Sequence, residues 1–235
     1  MERSGRNSIL GVVSTVDLEP IRGYLAPDAA ADTPFSLFEA AERAAGLGLL
    51  VVTSPIIATS ALWLVVQSRS SPFVAHLRVG KNGVPFWMWK LRTMWTGDPS
   101  RFRRRWVERI VADPSDDGKD RFDPRVGSRF ASFCRRHSID ELPQLWHVYR
   151  GKMSLVGPRP LTRSEVLQYY RMDASELLSV KPGLTGLWQV FGRSAIKFPR
   201  RADMDLCLVR TLTPKLYIKI LLRTIPAIIR GTGAW

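Results

Sequence analysis

The chain has 235 residues and carries 35 Lys and Arg against 21 Asp and Glu, a formal net charge of +14. A hydrophobic content of 45% excludes wholesale disorder, and two cysteines far apart exclude a disulfide scaffold or a cysteine-built zinc site. The length suits one domain, or one domain with a membrane segment. The positive charge predicts an anionic partner, and composition leaves nucleic acid, an anionic membrane and a phosphorylated substrate open.

The first 40 residues are predicted to form a weakly ordered N-terminal extension. They mix polar residues with Gly and Pro, and they lack a basic stretch that runs straight into an apolar one. A secretory signal peptide is therefore not expected here.

Residues 44–67 (AAGLGLLVVTSPIIATSALWLVVQ) form the only long apolar run, and it contains no charge. About 20 such residues are enough to enter a bilayer as a helix. Arginines flank both ends, so the positive-inside rule does not orient a straight span. Ser54 and Pro55 interrupt the run near its middle and predict a kink, because proline lacks a backbone donor. A re-entrant membrane helix over residues 41–69 is therefore favoured, and the buried core helix of a soluble protein is the alternative.

Two flanking segments are also predicted from local patterns. Asn82 and Gly83 are typical of a tight hairpin turn, and the aromatic segment that follows ends in Lys90 and Arg92. Near the C-terminus, residues 214–230 (PKLYIKILLRTIPAIIR) space basic side chains about every four positions along an apolar helix. This spacing predicts an amphipathic helix in the membrane interface that Pro226 bends or ends, with a packed terminal helix as the alternative.

An acidic pair, Asp140 and Glu141, follows Ser138 at the start of an apolar segment. Ser138 and Glu141 fit a capping box, which predicts that the pair lies at the positive end of a helix. An ionised carboxylate in such a place can act as a nucleophile or bind a divalent cation. Helix capping alone is the other interpretation, and two adjacent carboxylates are a weak signal by themselves.

The segments that follow the pair strengthen the chemical interpretation. Residues 151–160 (GKMSLVGPRP) hold Arg159 between two prolines that restrict its backbone, and a planar guanidinium suits phosphate. Residues 181–194 (KPGLTGLWQVFGRS) add a glycine-rich basic loop that contains Arg193. Together these segments predict an anion pocket around a carboxylate pair, with a divalent cation between carboxylates and phosphates.

These motifs resemble the bacterial sugar transferases that begin glycan assembly on a lipid carrier, the monotopic phosphoglycosyl transferases. The resemblance covers the chain from about residue 40 to its end. The matching segments are residues 54–55 (SP), 83–94 (GVPFWMWKLRTM), 123–125 (DPR), 138–146 (SIDELPQLW), 153–160 (MSLVGPRP), 181–194 and 230–235 (RGTGAW).

The resemblance implies an α/β (α+β), mostly helical protein. It implies a re-entrant membrane helix, a cytoplasmic catalytic domain over residues 70–235 and interfacial amphipathic helices. It places the protein at the bacterial inner (plasma) membrane, with its catalytic domain on the cytoplasmic face. The implied partners are a UDP-sugar, polyprenyl (undecaprenyl) phosphate and membrane lipids, without nucleic acid, and a homodimer stays open.

The resemblance also implies a reaction. Asp140 would attack the β-phosphate of the UDP-sugar, UMP would leave, and the polyprenyl phosphate would then take the sugar phosphate from the carboxylate. Glu141 would assist, or hold Mg²⁺ together with Asp140. The remaining implied roles are phosphate binding by Arg159, lining of the same pocket by Lys90, Arg92 and Arg193, and shaping of the re-entrant helix by Ser54 and Pro55.

Two rival functions remain at this point. A basic membrane-surface or nucleic-acid-binding protein without enzymatic activity explains the charge but not the acidic pair, and no nucleic-acid-binding motif is visible. A metal-dependent nucleotide-sugar hydrolase would use the same pocket and release free sugar phosphate. Several other polar residues are given no role: the three histidines are predicted to lie on the surface or in packing contacts, and Asp203 and Asp205 are predicted to be exposed.

Overall fold

The computed structural model describes residues 36–96 and 125–231. Most of the predicted N-terminal extension, Asp123 and the last four residues lie outside the described residues, as does the arginine-rich stretch 101–105. The helices are α1 Leu37–Ser68, α2 Arg129–Arg136, α3 Leu145–Tyr149, α4 Arg163–Tyr169, α5 Ala174–Leu178, α6 Leu187–Phe191, α7 Arg200–Thr211 and α8 Pro214–Arg230. The strands are β1 Phe73–Val79, β2 Pro85–Leu91, β3 Ser154–Val156 and β4 Gly183–Thr185. Short 3₁₀ helices cover Lys81–Gly83, Ile139–Gln144, Arg171–Asp173 and Arg193–Ala195. The prediction of a mostly helical fold with some strands is confirmed.

Helix α1 is the long apolar helix, and among the described residues it alone is long and apolar enough to cross a membrane. Ser36 caps its start, since its hydroxyl accepts the backbone N–H of Glu39 at 3.1 Å. One narrow stripe of the helix packs against the rest of the protein, while most of its other apolar side chains are exposed. No two successive members of the stripe are more than seven residues apart, and they are Glu42, Gly46, Leu50, Ile57, Ser60, Ala61 and Leu64.

The predicted hairpin is confirmed. Strands β1 and β2 are antiparallel, with Phe73 opposite Leu91 and Val79 opposite Pro85. The turn between them places Asn82 at φ 55° and Gly83 at φ 74°. Asparagine and glycine tolerate this left-handed region better than other residues, which explains why the pair sits here.

A second pair of strands brings two distant loops together. Strands β3 and β4 are parallel, with Ser154 opposite Gly183 and Val156 opposite Thr185. The backbones beside this pairing approach so closely that a Cβ built on Gly183 would lie 2.1 Å from the nitrogen of Gly157. Only glycine fits at this contact, so the proline-flanked loop and the glycine-rich loop are held side by side.

Helix α8 confirms the predicted C-terminal helix over Pro214–Arg230, and Pro226 does not end it. Thr213 caps it by accepting the backbone N–H of Leu216 at 3.2 Å, and the helix continues through Pro226 to Arg230. Tyr217 and Ile220 are buried on one side. The opposite face exposes apolar side chains at helical spacing, namely Ile218, Leu222, Ile225 and Ile229. The helix is amphipathic as predicted, and its place in a membrane interface stays a prediction.

Candidate active site

The acidic pair lies in the first turn of the 3₁₀ helix Ile139–Gln144, not at the start of an α-helix. The predicted capping box is wrong: Ser138 has φ 56°, and its side chain makes no capping hydrogen bond. The Ser138 hydroxyl instead accepts a hydrogen bond from Arg193 Nη2 at 2.9 Å. A residue with a left-handed backbone directs its side chain away from the following turn. The Ser-x-x-Glu pattern is therefore present here without the hydrogen bonds of a capping box.

Asp140 is only 7% exposed, and its carboxyl is the less readily ionised of the two. Burial raises the pKa of Asp140 from 3.8 to about 6, helped by the negative charge of Glu141 and opposed by Lys90 and Arg135. The group is therefore mostly ionised at pH 7, but in a poorly solvated place. A weakly solvated carboxylate is a better nucleophile than one in water.

The pKa of Glu141 is shifted in the opposite direction. Burial would raise its pKa, but the positive charges of Lys90, Arg159 and Arg193 outweigh that effect and hold the pKa well below its usual value. Lys90 Nζ donates to Glu141 Oε1 at 2.5 Å from strand β2. Glu141 thus stays ionised over the physiological range and fixes the lysine beside Asp140. Two neighbouring carboxyls with pKa values pushed apart are typical of a catalytic pair.

Arg159 is positioned by three backbone contacts around the proline-flanked turn. Gly157 N–H donates to the Thr185 carbonyl at 2.9 Å, Gly183 N–H donates to the Pro158 carbonyl at 2.7 Å, and Val79 N–H donates to the Leu161 carbonyl at 2.9 Å. The Arg159 guanidinium lies 5.7 Å from the centre of the Trp188 ring. Its charge lowers the pKa of Glu141, so the structure brings this predicted residue to the acidic pair.

Asp205 is buried, which corrects the prediction that it is exposed. It is 1% exposed, and its Oδ2 accepts hydrogen bonds from the Tyr170 hydroxyl at 2.9 Å and Trp188 Nε1 at 3.3 Å. Burial raises the pKa of Asp205 to about 7, although these two bonds and the backbone N–H and charge of Arg159 oppose the shift. Asp205 therefore links the segment that carries Arg159 to Tyr170 and Trp188.

Arg193 and Arg92 occupy different places relative to the pair. Arg193 donates to Ser138 and, at 3.2 Å, to the Arg136 carbonyl, and its charge acts on Glu141, so it borders the pair. Arg92 donates from Nε to the Ser71 carbonyl at 2.8 Å and from Nη2 to the Phe73 carbonyl at 3.3 Å. The structure therefore holds Arg92 at the base of the hairpin, and its role in substrate binding stays a prediction.

Ser54 and Pro55 do not break helix α1, which runs continuously through them. Because proline has no N–H, the carbonyl of Val51 loses its usual helical partner. The Ser54 hydroxyl donates to that carbonyl at 2.7 Å and so replaces the missing bond. The helix therefore continues through this pair, both residues lie on its exposed side, and the predicted kink and re-entrant role stay predictions.

The carboxylate pair is also the candidate metal site. Within residues 36–96 and 125–231, there is no cluster of three or more His, Cys, Asp and Glu side chains that could hold a metal ion. Mg²⁺ commonly takes one or two carboxylates and completes its shell with water and substrate phosphates. Asp140 and Glu141 fit that mode, with the positive charges of Lys90, Arg159 and Arg193 beside them.

Two of the three histidines make packing contacts and His76 is exposed on β1, as predicted. His147 is 4% exposed, and its Nε2 accepts the backbone N–H of Trp89 at 3.1 Å. Burial lowers the pKa of His147 to about 4, so the ring is neutral and joins α3 to β2. His137 Nδ1 lies 2.8 Å from the Ile228 carbonyl and links the end of α2 to α8.

Sequence reasoning missed two groups near the site. Arg78 pairs with Glu165 at 3.3 Å, and Glu42 is a buried carboxylate that accepts hydrogen bonds from Leu155 N–H at 2.8 Å and from Tyr217. The sequence did not mark Arg78, because only the observed register, with Arg78 opposite Phe86 and Val74 opposite Lys90, places it on the same face as Lys90. No sequence signal marked Glu42, which lies before the apolar run of α1, between Glu39 and Arg43.

The chain matches the bacterial sugar transferase family over residues 36–231. It is 37% identical to the UDP-galactose-lipid carrier transferase of Erwinia amylovora, over 74% of this chain and 36% of that protein. It is 36% identical to the undecaprenyl-phosphate galactose phosphotransferase of Salmonella typhimurium, over 80% of this chain and 39% of that protein. It is 33% identical to the exopolysaccharide production protein ExoY of Sinorhizobium fredii, over 80% of this chain and 85% of that protein.

The chain therefore spans well under half the length of the first two relatives, and most of the length of the third. The family match nevertheless covers the acidic pair, the proline-flanked arginine and helix α1 in one continuous stretch. The resemblance indicated by the motifs is confirmed, and the chain belongs to the bacterial sugar transferase family.

Proposed function

We propose that this protein transfers a sugar 1-phosphate from a UDP-sugar to polyprenyl phosphate and thereby begins the assembly of a polysaccharide or glycoconjugate. The proposal takes its substrates from the relatives whose names give an undecaprenyl-phosphate acceptor or a UDP-galactose donor. The observation that carries it is the contrast within the acidic pair, a buried Asp140 beside a strongly ionised Glu141 that holds Lys90.

In the proposed mechanism Asp140 is the nucleophile. Its carboxylate oxygen forms a bond to the β-phosphorus of the UDP-sugar, and the bond from that phosphorus to the bridging oxygen breaks, so that UMP leaves. A phosphate oxygen of the polyprenyl carrier then attacks the same phosphorus and releases the carboxylate. Arg159 and Lys90 stabilise the negative charge that develops on the phosphate oxygens during both steps. The near-complete burial of Asp140 limits access of water to the intermediate and so favours transfer over hydrolysis.

Mg²⁺ is proposed as the cofactor, held by Asp140 and Glu141. When bound, it would offset the charge of the diphosphate and of the leaving UMP. The side chains that surround the pair bind and orient the diphosphate, with Arg193 keeping the loop before Asp140 in place.

We further propose that helix α1 enters the cytoplasmic leaflet of the inner membrane without crossing it. A straight span needs about 20 residues clear of the domain to cross roughly 30 Å of hydrocarbon. The stripe of α1 touches the catalytic domain from Glu42 to Leu64, and no gap between contacts exceeds seven residues. One domain cannot lie on both sides of a bilayer, so this packing supports an arrangement in which both ends of the helix lie on one face.

The central experiment measures UMP release from UDP-sugars by purified protein in detergent or nanodiscs, with Mg²⁺ and polyprenyl phosphate. We expect UMP and a lipid-linked sugar diphosphate in equal amounts, and loss of both in Asp140→Asn. Asp203→Asn is the matched control, because it removes an exposed carboxylate and should retain activity. Release of free sugar phosphate at a rate that the lipid does not raise would favour the hydrolase instead. Absence of UMP release with every UDP-sugar tested would reject the transferase.

The topology has its own test, cysteine labelling. With the exposed Cys207 replaced by Ser and only the buried Cys134 retained, a cysteine introduced at Ser36 or at Ser70 marks one end of α1, and both positions are exposed. A maleimide that does not cross membranes should leave both unlabelled in intact cells and label both after lysis. Labelling of one end alone in intact cells would show that the helix crosses the bilayer.

A further inference from the structure

Arg78 is a partly buried cation near the site, with a side chain that is 16% exposed and few partners for its donors. A guanidinium carries five N–H donors. Among the described residues it makes one hydrogen bond, from Nη1 to Glu165 Oε2 at 3.3 Å, and its Nε is buried without an acceptor. The same Glu165 oxygen already accepts Thr162 N–H at 2.7 Å and the Thr162 hydroxyl at 2.8 Å. The pairing with Glu165 therefore leaves most of the donors of Arg78 unused.

The hairpin directs Arg78 toward the acidic pair. In the antiparallel register Arg78 lies opposite Phe86, and Val74 lies opposite Lys90. Residues that face each other or alternate along a strand share one face, so Arg78 and Lys90 project from the same face of the hairpin. That face packs against the domain, because Phe86 is 5% exposed and Lys90 bonds Glu141.

The end of β1 also lies beside the proline-flanked turn. Val79, next to Arg78, donates its N–H to the carbonyl of Leu161, two residues after Arg159. The charges of both Arg159 and Glu141 act on the pKa of Arg78, which burial lowers and Glu165 raises. Arg78, at the end of β1, thus lies near the same site as Arg159, which is in the loop after β3.

We infer that Arg78 is a further phosphate-binding residue of this site, using its free N–H donors for a phosphate group of one of the two substrates. The planar fork suits two phosphate oxygens at once, and a buried donor without an acceptor is unfavourable until such a ligand arrives. This inference rests on the proposed transfer, because that reaction supplies the phosphates.

The test measures KM for the UDP-sugar and for polyprenyl phosphate separately, in full-length Arg78→Gln and Arg78→Lys. We expect KM for one substrate to rise at least tenfold in Arg78→Gln. The rise should be smaller in Arg78→Lys, which keeps the charge but loses the fork. The substrate whose KM rises identifies the phosphate that is bound. Arg200→Gln removes an exposed arginine and should change neither constant. Both KM values within twofold of wild type would overturn the inference.

Glu165→Gln separates phosphate binding from a purely structural role. If Arg78 only steadies Glu165, the two glutamine variants should change KM equally, and that result would also overturn the inference. If Arg78 binds phosphate, Glu165→Gln should leave KM nearly unchanged.

Calorimetric binding of inorganic pyrophosphate to the whole protein tests the residue apart from turnover. Binding that is lost in Arg78→Gln and kept in Arg200→Gln supports the anion site even if no UMP release is found. Equal binding by wild type and Arg78→Gln, or none by wild type, counts against it. Failure of the transferase proposal can therefore be told apart from failure of this inference.

Discussion

Asp140→Asn should abolish transfer and at the same time make the protein more stable at pH 7. The folded protein keeps this carboxylate in a place that is only 7% exposed, where its ionised form is poorly solvated. Asparagine has nearly the same shape but no charge to bury. Replacing the proposed nucleophile therefore removes an unfavourable term from the folded state while it removes the reactive oxygen.

The size of the gain follows from the pKa shift. The pKa of Asp140 rises from 3.8 to about 6 on folding, because burial outweighs the attraction of Lys90. Roughly two pKa units at about 1.36 kcal/mol each amount to about 3 kcal/mol. Since the folded pKa lies above the unfolded value, this penalty is fully present above about pH 6 and is lost as the pH falls toward 3.8. For a chain of this size about 3 kcal/mol corresponds to a Tm increase of roughly 6–12 °C.

The assay compares the thermal unfolding of wild type and Asp140→Asn in the same detergent at pH 7.5 and pH 4.5. We expect a clear increase in Tm at the higher pH and a much smaller one at the lower pH. Glu141→Gln is the control of opposite sign, because the pKa of Glu141 is held low and its charge stabilises the fold. A variant Asp140→Asn that is less stable than wild type at pH 7.5, or a Tm difference independent of pH, would refute the reasoning.

Three further substitutions have definite expected outcomes. Lys90→Met should move the acidic limb of the pH–rate profile to higher pH, because the lysine lowers the pKa of both carboxyls of the proposed catalytic pair; an unmoved limb would contradict this. Gly183→Ala should destabilise the folded protein by about 1–3 kcal/mol or more, because the added Cβ would lie 2.1 Å from the backbone nitrogen of Gly157. Gly48→Ala is the control, since nothing lies within 4 Å of its added Cβ, and the yields of folded protein are compared. Tyr217→Phe should lower the free energy of unfolding by about 1.5–3 kcal/mol by removing a donor to the buried Glu42 carboxylate, measured by denaturant titration.

The local patterns that predicted correctly are those whose cause lies within a few residues. Asn82 and Gly83 tolerate the left-handed backbone of a hairpin wherever it occurs, so the turn and its strands could be found from sequence. The 3.6-residue period of α8 likewise agrees with the faces that the helix buries and exposes. Pro226 lies inside this helix without ending it. Arg159 was singled out because two prolines restrict its backbone, whereas the acidic pair was singled out by a capping pattern that the fold does not use and by the family resemblance.

The predictions that failed depended on contacts made across the fold. Ser138 has the sequence of a helix cap, but Arg193, 55 positions later, takes its hydroxyl. Asp205 lies on a helix with charged neighbours and reads as exposed, yet Tyr170 and Trp188 bury it. Such partners come from remote parts of the chain, and no local sequence pattern predicts them.

The place of Asp140 relative to helix α1 bears on how a lipid and a sugar nucleotide could meet. Ala61 and Leu64 of the buried stripe form one hydrophobic cluster with Ala131 of α2, and Ile139, next to Asp140, packs against that cluster. The segment with the acidic pair therefore packs against the helix proposed to lie in the membrane. A polyprenyl phosphate keeps its chain in the hydrocarbon and its phosphate at the headgroup level, so it needs a reactive group within reach of that boundary. A carboxylate held against the inserted helix meets this requirement without any large movement of the lipid.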